Sequence, residues 1–164
     1  MADETPKFEP EISSIMREVQ EAAGAVYPYY WNLPEDFLYP ALFFPQPEIV
    51  TNGDTFKTYA SDYSWYIKVF ADTTEKAHAI ALGILTHIKR SRNYVRLYEQ
   101  DGTPTGKKLR LNDPSLKVVE NGVVQLIIEW RSRRPYYLPD PEKMQHFKLD
   151  YDDKGEKEDL DNGE

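Results

Sequence analysis

Residues 116–131, LKVVENGVVQLIIEWR, carry the clearest secondary-structure signal in the chain. Asn121-Gly122 is a dipeptide preferred at the centre of a type I′ turn, which joins two antiparallel strands. It lies between Leu116–Glu120 and Val123–Arg131. The second segment alternates, and its apolar side chains are Val124, Leu126, Ile128 and Trp130. We therefore predict a β-hairpin whose second strand turns one apolar face toward a core.

A long strand is predicted upstream of this hairpin, over residues 55–70, after the turn signal Asn52-Gly53-Asp54. Its apolar phase contains Tyr59, Tyr63, Trp65, Ile67 and Val69. Its polar phase contains Thr58, Asp62, Ser64 and Lys68. Such alternation is typical of a sheet with one covered face.

Two amphipathic helices are predicted from apolar residues at three- and four-residue spacing. The first begins at Pro10 and ends before Gly24 and Pro28; its apolar stripe is Ile12, Ile15, Met16, Val19, Ala22 and Ala23. The second follows Asp72-Thr-Thr-Glu75, which resembles a capping box with Asp72 as the N-cap. Its apolar face is Ala77, Ile80, Ala81, Ile84, Leu85 and Ile88.

Shorter segments complete the prediction. Residues 28–47 contain five prolines among many aromatics, which favours an ordered loop with a short edge strand near Ala41–Phe44. Tyr94–Tyr98 and Lys107–Leu111 are extended pieces around a turn at Asp101-Gly102. The fold class is α+β: an antiparallel sheet of four to five strands with two helices packed on one face.

Charge divides the chain into three parts. The net charge is −8, and residues 140–164 hold ten acids and four lysines. We predict a flexible amino terminus over 1–9, one α+β domain over 10–139, and an acidic, largely disordered tail over 140–164. Phe147–Tyr151 within the tail is a possible last strand. Because the body is nearly neutral, duplex DNA is not an obvious partner.

Composition excludes several classes of protein. The chain has 164 residues and no cysteine, which excludes a disulfide scaffold, a thiolate zinc site and a thiol nucleophile. No apolar run reaches the roughly 18 residues of a membrane-spanning helix, and no signal-peptide pattern is present. We expect a soluble protein made in a reducing cytoplasm. Twelve Tyr, seven Phe and three Trp suit contact surfaces between subunits as well as a core.

No motif in the sequence predicts catalysis, a cofactor or a metal. Residues 102–108 differ from a phosphate-binding loop in glycine spacing and lead into a strand. Residues 150–161 mimic a calcium loop, but Lys154 stands where an oxygen ligand belongs. His78 and His87 lie on opposite sides of one helix, and no Gly-x-Ser-x-Gly occurs. We therefore expect no enzyme, no cofactor and no metal site.

Two groups of basic residues are candidate binding surfaces. The first is Lys89, Arg90, Arg92, Arg96, Lys107, Lys108 and Arg110. The second follows the last strand and combines Arg131, Arg133 and Arg134 with Tyr136 and Tyr137. Arginine beside tyrosine fits a protein interface as well as a nucleic-acid one, and solvated helix and hairpin ends remain an alternative for the first group.

The order of these elements resembles the tail terminator (tail completion) proteins of long-tailed bacteriophages. The resemblance runs through the helix Glu11–Ala25, Tyr39–Pro45 (YPALFFP), the long strand within Asp54–Asp72 with the helix after it, and Gly122–Tyr136. It covers about residues 10–137 and is one of pattern, without an invariant motif. The acidic extension after Pro139 has no counterpart in it.

What the resemblance implies is a structural virion protein without catalytic residues. Terminators form a hexameric ring that caps the tail tube, ends its elongation and offers the surface that joins the head. The implied partners are further copies of this chain, the tail tube protein, a head-neck connector and, in contractile tails, the sheath. In such a ring, DNA passes through the central channel without specific binding, and no membrane is involved. The implied location is the tail-neck region of the virion, after assembly in the host cytoplasm.

A ring of identical subunits places a geometric requirement on the contact between neighbouring copies. A closed ring needs a heterologous contact, in which one patch meets a different patch on the next copy. We predict that Arg131, Arg133, Arg134, Tyr136 and Tyr137 contribute to this contact. Another neck or head-completion connector, and a nucleic-acid-binding module that uses the first basic group, remain the alternative functions.

Overall fold

Two thirteen-residue strands, β4 (Thr58–Phe70) and β8 (Val123–Pro135), form the centre of the computed structural model, which describes residues 9–137. They pair antiparallel along their whole length, from Thr58 opposite Pro135 to Phe70 opposite Val123. The other elements are α1 (Pro10–Ala23), β1 (Tyr27–Tyr30), β2 (Ala41–Phe44), β3 (Glu48–Gly53), α2 (Thr74–Arg90), β5 (Tyr94–Tyr98), β6 (Pro104–Arg110) and β7 (Ser115–Glu120). The predicted acidic tail and its possible strand at Phe147–Tyr151 lie outside the described residues.

The main sheet has six strands in the order β1-β2-β4-β8-β7, and β3 pairs with the part of β4 that β2 leaves open. All these pairs are antiparallel except β1 with β2, which is parallel. The α+β prediction is therefore confirmed, but the predicted count of four to five strands is too low. The predicted strands at 94–98 and 107–111 form a separate two-stranded hairpin, β5 with β6, and Leu111 makes an isolated antiparallel bridge to Trp130 of β8.

Three local predictions need correction. β2 is not an edge strand, since β1 covers its outer side; Pro28 is tolerated because β1 itself lies at the edge. Asn52 and Gly53 belong to β3, so the turn falls at residues 54–57 and the long strand begins at Thr58. The N-cap of α2 is Thr73 rather than Asp72, because the Thr73 side chain accepts a hydrogen bond from the backbone N–H of Lys76.

Both helices cover one face of the sheet, as predicted. That face carries the predicted apolar phases, namely Tyr63, Trp65, Ile67 and Val69 of β4 and Val124, Leu126, Ile128 and Trp130 of β8. Trp65 lies at its centre and is fully buried. Its ring centroid is 5.6 Å from that of Phe44 and 6.0 Å from that of Trp130. The indole N–H of Trp65 donates to the carbonyl of Pro45, so the buried polar atom has a partner.

The β7–β8 hairpin is confirmed, and its glycine also connects it to the start of α2. Gly122 has a left-handed φ of 78°, but Asn121 is not among the described non-glycine residues with positive φ. The turn is therefore not the predicted type I′, which needs positive φ at both central residues. The register of the two strands also shifts between Val118 and Glu120, next to the turn. Its N–H donates to the hydroxyl of Thr74 at 2.9 Å, and its carbonyl accepts from the N–H of Ala71 at 3.0 Å. The hairpin turn and the β4–α2 connection therefore hold each other in place.

The corrected cap gives a stability prediction. Replacing Thr73 with Ala removes the acceptor for the Lys76 N–H, so we expect the free energy of unfolding to fall by about 1 kcal/mol. Replacing Asp72 with Ala removes an exposed i,i+4 ion pair with Lys76, which is worth about 0.5 kcal/mol or less. Urea unfolding of both variants measures the difference. A larger loss for Asp72→Ala would mean that the cap is misassigned.

Candidate subunit-contact surface

The five predicted interface residues lie at one end of the main sheet. This three-stranded end comprises β3, residues 58–64 of β4 and residues 129–135 of β8, with the turn 54–57 and the following residues 136–137. The final segment of β8, which ends at Pro135, contains Arg131, Arg133 and Arg134. Tyr136 and Tyr137 follow the strand. Successive residues of a strand point to opposite faces, so the three arginines divide between the two faces of the sheet.

Arg131 and Arg133 lie on the face away from the helices, beside two aspartates. The Arg133 Nε is 3.1 Å from Oδ2 of Asp54, and Arg131 Nη2 is 3.5 Å from Oδ1 of the same carboxylate. Arg131 Nη1 also lies 3.6 Å from Oδ1 of Asp62. The Asp54 side chain is only 10% exposed and accepts a hydrogen bond from the Thr58 hydroxyl at 3.0 Å. The charges of these arginines are therefore balanced within the chain.

Arg134 lies on the helix face, in a polar network with the start of α1. Its Nη2 donates to Oε2 of Glu9 at 3.1 Å and to the hydroxyl of Tyr63 at 3.0 Å, while that hydroxyl donates to Glu9 at 3.0 Å. Burial, with the hydrogen bond to Glu9 adding to it, raises the pKa of Tyr63 to about 12. The phenol therefore stays protonated at neutral pH and continues to donate to the carboxylate.

Glu11 makes a second connection between α1 and β8. Its carboxylate accepts the indole N–H of Trp130 at 2.9 Å and the hydroxyl of Ser132 at 2.8 Å. A carboxylate in the first turn of a helix is also favoured by the helix dipole. Together Glu9 and Glu11 fix the three-stranded end against the first helix, so its conformation is set before any partner binds.

The two tyrosines differ in their surroundings. The ring of Tyr136 packs 5.5 Å from that of Tyr59, and its backbone N–H donates to the carbonyl of Lys57 at 2.9 Å. Tyr136 remains 42% exposed, and Tyr137 is 98% exposed. Tyr137 therefore contributes almost no packing to the described fold and is available to a partner.

Sequence reasoning missed three other apolar side chains at the same end. Phe56, at the turn between β3 and β4, is 92% exposed, and Val50 and Ile49 of β3 are 60% and 49% exposed. Ile49 and Val50 are successive strand residues, so they point to opposite faces of the sheet and both faces of this end expose an apolar side chain. A phenylalanine beside the turn signal Asn52-Gly53-Asp54 was an available clue, because an isolated aromatic in a polar turn has no core to enter.

The β5–β6 hairpin brings together part of the first basic group, which runs from Lys89 to Arg110. Arg96 lies directly opposite Lys108, and Tyr94 lies opposite Arg110. Lys89 pairs instead with Asp113, and Arg90 and Arg92 are exposed at the end of α2. Lys107 alternates with Lys108 and therefore lies on the other side of the strand.

Within residues 9–137, no group of three His, Asp or Glu side chains is arranged to hold a metal ion. His87 pairs with Glu18 across the helix interface at 2.9 Å. In the same part of the chain, no helix is long and apolar enough to cross a membrane.

Comparisons with known proteins point to a phage-related origin. No protein-family model matches the chain. It is 29% identical over 142 residues to the uncharacterized protein YqbJ of Bacillus subtilis (strain 168), across 85% of this chain and 94% of that protein. It is 27% identical over 121 residues to the phage-like element PBSX protein XkdJ of the same strain, across 74% of this chain and 83% of that protein. The chain is thus related to a protein of a phage-like element.

One solved structure is also similar. A chain of the virion of a native gene transfer agent particle aligns with 76% of this chain and 93% of its own length. The TM-score is 0.43 and the sequence identity is 12%.

Proposed function

We propose that this chain is a structural virion protein of a long-tailed bacteriophage and acts as its tail terminator. Copies of the chain form a hexameric ring that caps the tail tube, stops its elongation and presents the surface to which the head connector binds. The similarity to a protein of a phage-like element supports the phage setting. The chain acts through shape and docking, without a catalytic step.

The sheet topology suits a ring. A heterologous contact needs two different surfaces on each copy. The path of the main sheet ends at β1 on one side and at β7 on the other, and neither strand has a second neighbour among the described residues. Each edge also exposes apolar side chains, such as Tyr27 on β1 and Val118 on β7. Unpaired strand edges can accept a strand from another chain.

The observation that carries the proposal is the number of exposed apolar side chains at the three-stranded end. Phe56, Val50, Ile49, Tyr136 and Tyr137 all lie there. The partly buried networks at Asp54, Glu9 and Glu11 hold the backbone of this end in place, so little ordering entropy is lost on docking. We assign Phe56 and Tyr137 to contact with the next copy or the tube. Arg131, Arg133 and Arg134 border that contact and also hold this end in shape through their ion pairs.

Truncating the exposed aromatics tests this proposal. The double variant Phe56→Ala/Tyr137→Ala should fold normally, because both side chains are more than nine-tenths exposed. In a phage that carries it, we expect loss of rings, tail tubes of irregular length and few joined heads, seen by electron microscopy of the lysate. The size of the effect should exceed tenfold in joined particles, since two aromatic anchors are lost from each contact.

A matched control is Leu82→Ala, which removes a half-exposed apolar side chain from α2, away from the three-stranded end. It should leave tails normal. Normal assembly of the double variant would remove this end from the interface. A ring on tailless heads, rather than at the end of isolated tails, would identify a head-completion connector instead.

A further inference from the structure

The β5–β6 hairpin presents a basic and aromatic face that the proposed ring contact does not use. Strand alternation places Val95 and Leu109 toward the core, where both are buried. The opposite side is the basic hairpin face, formed by Tyr94, Arg96, Tyr98, Lys108 and Arg110. The cross-strand pairs on this face put cation opposite cation and tyrosine opposite arginine.

The cations of this face form no ion pair with another described residue, although the Asp113 carboxyl, whose pKa is lowered chiefly by Lys89, also interacts with the charge of Arg110. No ion pair joins Arg96, Lys108 or Arg110 to another residue within 9–137. Like charges directly opposite each other in a sheet are unfavourable, so the Arg96–Lys108 pair is a cost to the isolated fold. A negatively charged ligand would remove that cost.

A cleft of about 410 Å³ adjoins the face, between the hairpin and the ends of the two helices. Two carboxylates also line this cleft: Glu21 forms an ion pair with Arg17 at 3.2 Å, and Glu18 lies 2.9 Å from the ring of His87. The Arg17 guanidinium in turn lies 4.1 Å above the ring of Tyr98. Neither carboxylate of the cleft therefore forms an ion pair with a cation of the basic hairpin face.

The surrounding sequence adds to this positive potential. Residues 89–110 contain seven Lys and Arg against two acids, whereas the whole described chain, residues 9–137, has a net charge of −1. Arg92 and Asn93 adopt left-handed conformations, with φ of 56° and 64°, and turn the chain from α2 directly into β5. The exposed cations Arg90 and Arg92 thus adjoin the hairpin.

The matching negative charge is in the same chain. Residues 150–164 contain eight Asp and Glu against two Lys, a net charge of −6. They are linked to Tyr137 by residues 138–149, which can span about 40 Å when extended. A compact domain of this size is about 35 Å across, so the segment can reach any part of its own surface. Tethering gives it an effective concentration of about millimolar.

We propose that the acidic segment 150–164 binds the basic hairpin face of its own chain. Its carboxylates pair with Arg96, Lys108 and Arg110, and its backbone lies against Tyr94. Binding covers the basic hairpin face and screens it from other polyanions. The interaction is electrostatic, so it weakens as salt rises, and it does not depend on ring formation.

Zero-length carbodiimide cross-linking of the full chain, read by mass spectrometry, tests the proposal. Carboxylates of 150–164 should couple to Lys108 about tenfold more than to Lys117, an exposed lysine on β7. Coupling to Lys108 should fall to the Lys117 level in 0.5 M NaCl. The yield should be independent of protein concentration, because the contact is within one chain.

The variant Arg96→Glu/Arg110→Glu keeps Lys108 as the reporter and reverses its two cationic neighbours. Coupling of the segment to Lys108 should fall about tenfold, with thermal unfolding checked alongside; Lys68→Glu, on β4, is the control and should change nothing. Equal coupling to Lys108 and Lys117, or unchanged coupling in the double variant, would overturn the proposal. So would a full chain that binds a DNA duplex through these two arginines, since the face would then be open to nucleic acid.

Discussion

Replacing Trp65 with alanine should lower the free energy of unfolding by about 3–5 kcal/mol. Trp65 is fully buried at the centre of the sheet, between Phe44 and Trp130. Its removal leaves a cavity that the paired strands β4 and β8 cannot close, because thirteen consecutive pairs fix their spacing. The loss also leaves the carbonyl of Pro45 without the indole donor. Urea unfolding followed by circular dichroism gives the value.

Phe56→Ala is the matched control for this measurement. It also truncates an aromatic residue, but one that is 92% exposed, so we expect a change within about 0.5 kcal/mol. A loss at Trp65 no larger than at Phe56 would mean that Trp65 is not part of the core. The same Phe56 variant is used in the assembly test, so stability and assembly can be separated in one set of proteins.

Replacing Gly122 with alanine should destabilise the chain by about 2–4 kcal/mol. Gly122 has φ of 78°, where a side chain is strained. An added Cβ would also lie 2.7 Å from the carbonyl oxygen of Ala71, which is backbone and cannot rotate away. Relief of this clash would break the hydrogen bond that connects the hairpin turn to the β4–α2 connection.

Gly83→Ala is the same substitution in a position that permits it. Gly83 lies within α2, and an added Cβ meets no atom within 4 Å. Alanine has the higher helix propensity, so this variant should be more stable by about 0.5–1 kcal/mol. Thermal unfolding of both variants should therefore show shifts of opposite sign. A stabilising Gly122→Ala would contradict the turn conformation.

The sequence was sufficient to predict the helices and strands that bury one of their faces. Alternation in β4 and β8 and three- and four-residue spacing in α1 and α2 report burial directly, because each periodicity reflects one buried side. The two strands that were not predicted, β1 and β3, lack such a periodicity. All six residues of β3 are exposed, and three of the four in β1 are exposed, so neither had an apolar phase to recognise. The parallel β1–β2 pairing joins segments through a proline-rich loop whose path no local pattern encodes.

The five candidate residues lie at one end of the main sheet, but the three arginines divide between its two faces. Arg131 and Arg134 differ by an odd number of positions in one strand, so their placement on opposite faces was predictable from alternation alone. The residues with which these arginines form ion pairs were not predictable in this way. Asp54 lies on a neighbouring turn and Glu9 precedes the first helix, and such distant contacts follow only from the completed fold. Whether the five residues form a subunit contact stays a prediction.

The pairing of β4 with β8 also bears on how the chain reaches its native state. Their partners are separated by 53 to 77 positions, whereas β7 and β8 are adjacent. The local hairpin can form within microseconds, but the central pair must close a loop that contains α2 and the β5–β6 hairpin. During synthesis on the ribosome, the apolar side of β4 therefore stays exposed to solvent until β8 has emerged. We expect the nascent chain to be most prone to aggregation, and most in need of a chaperone, during this interval.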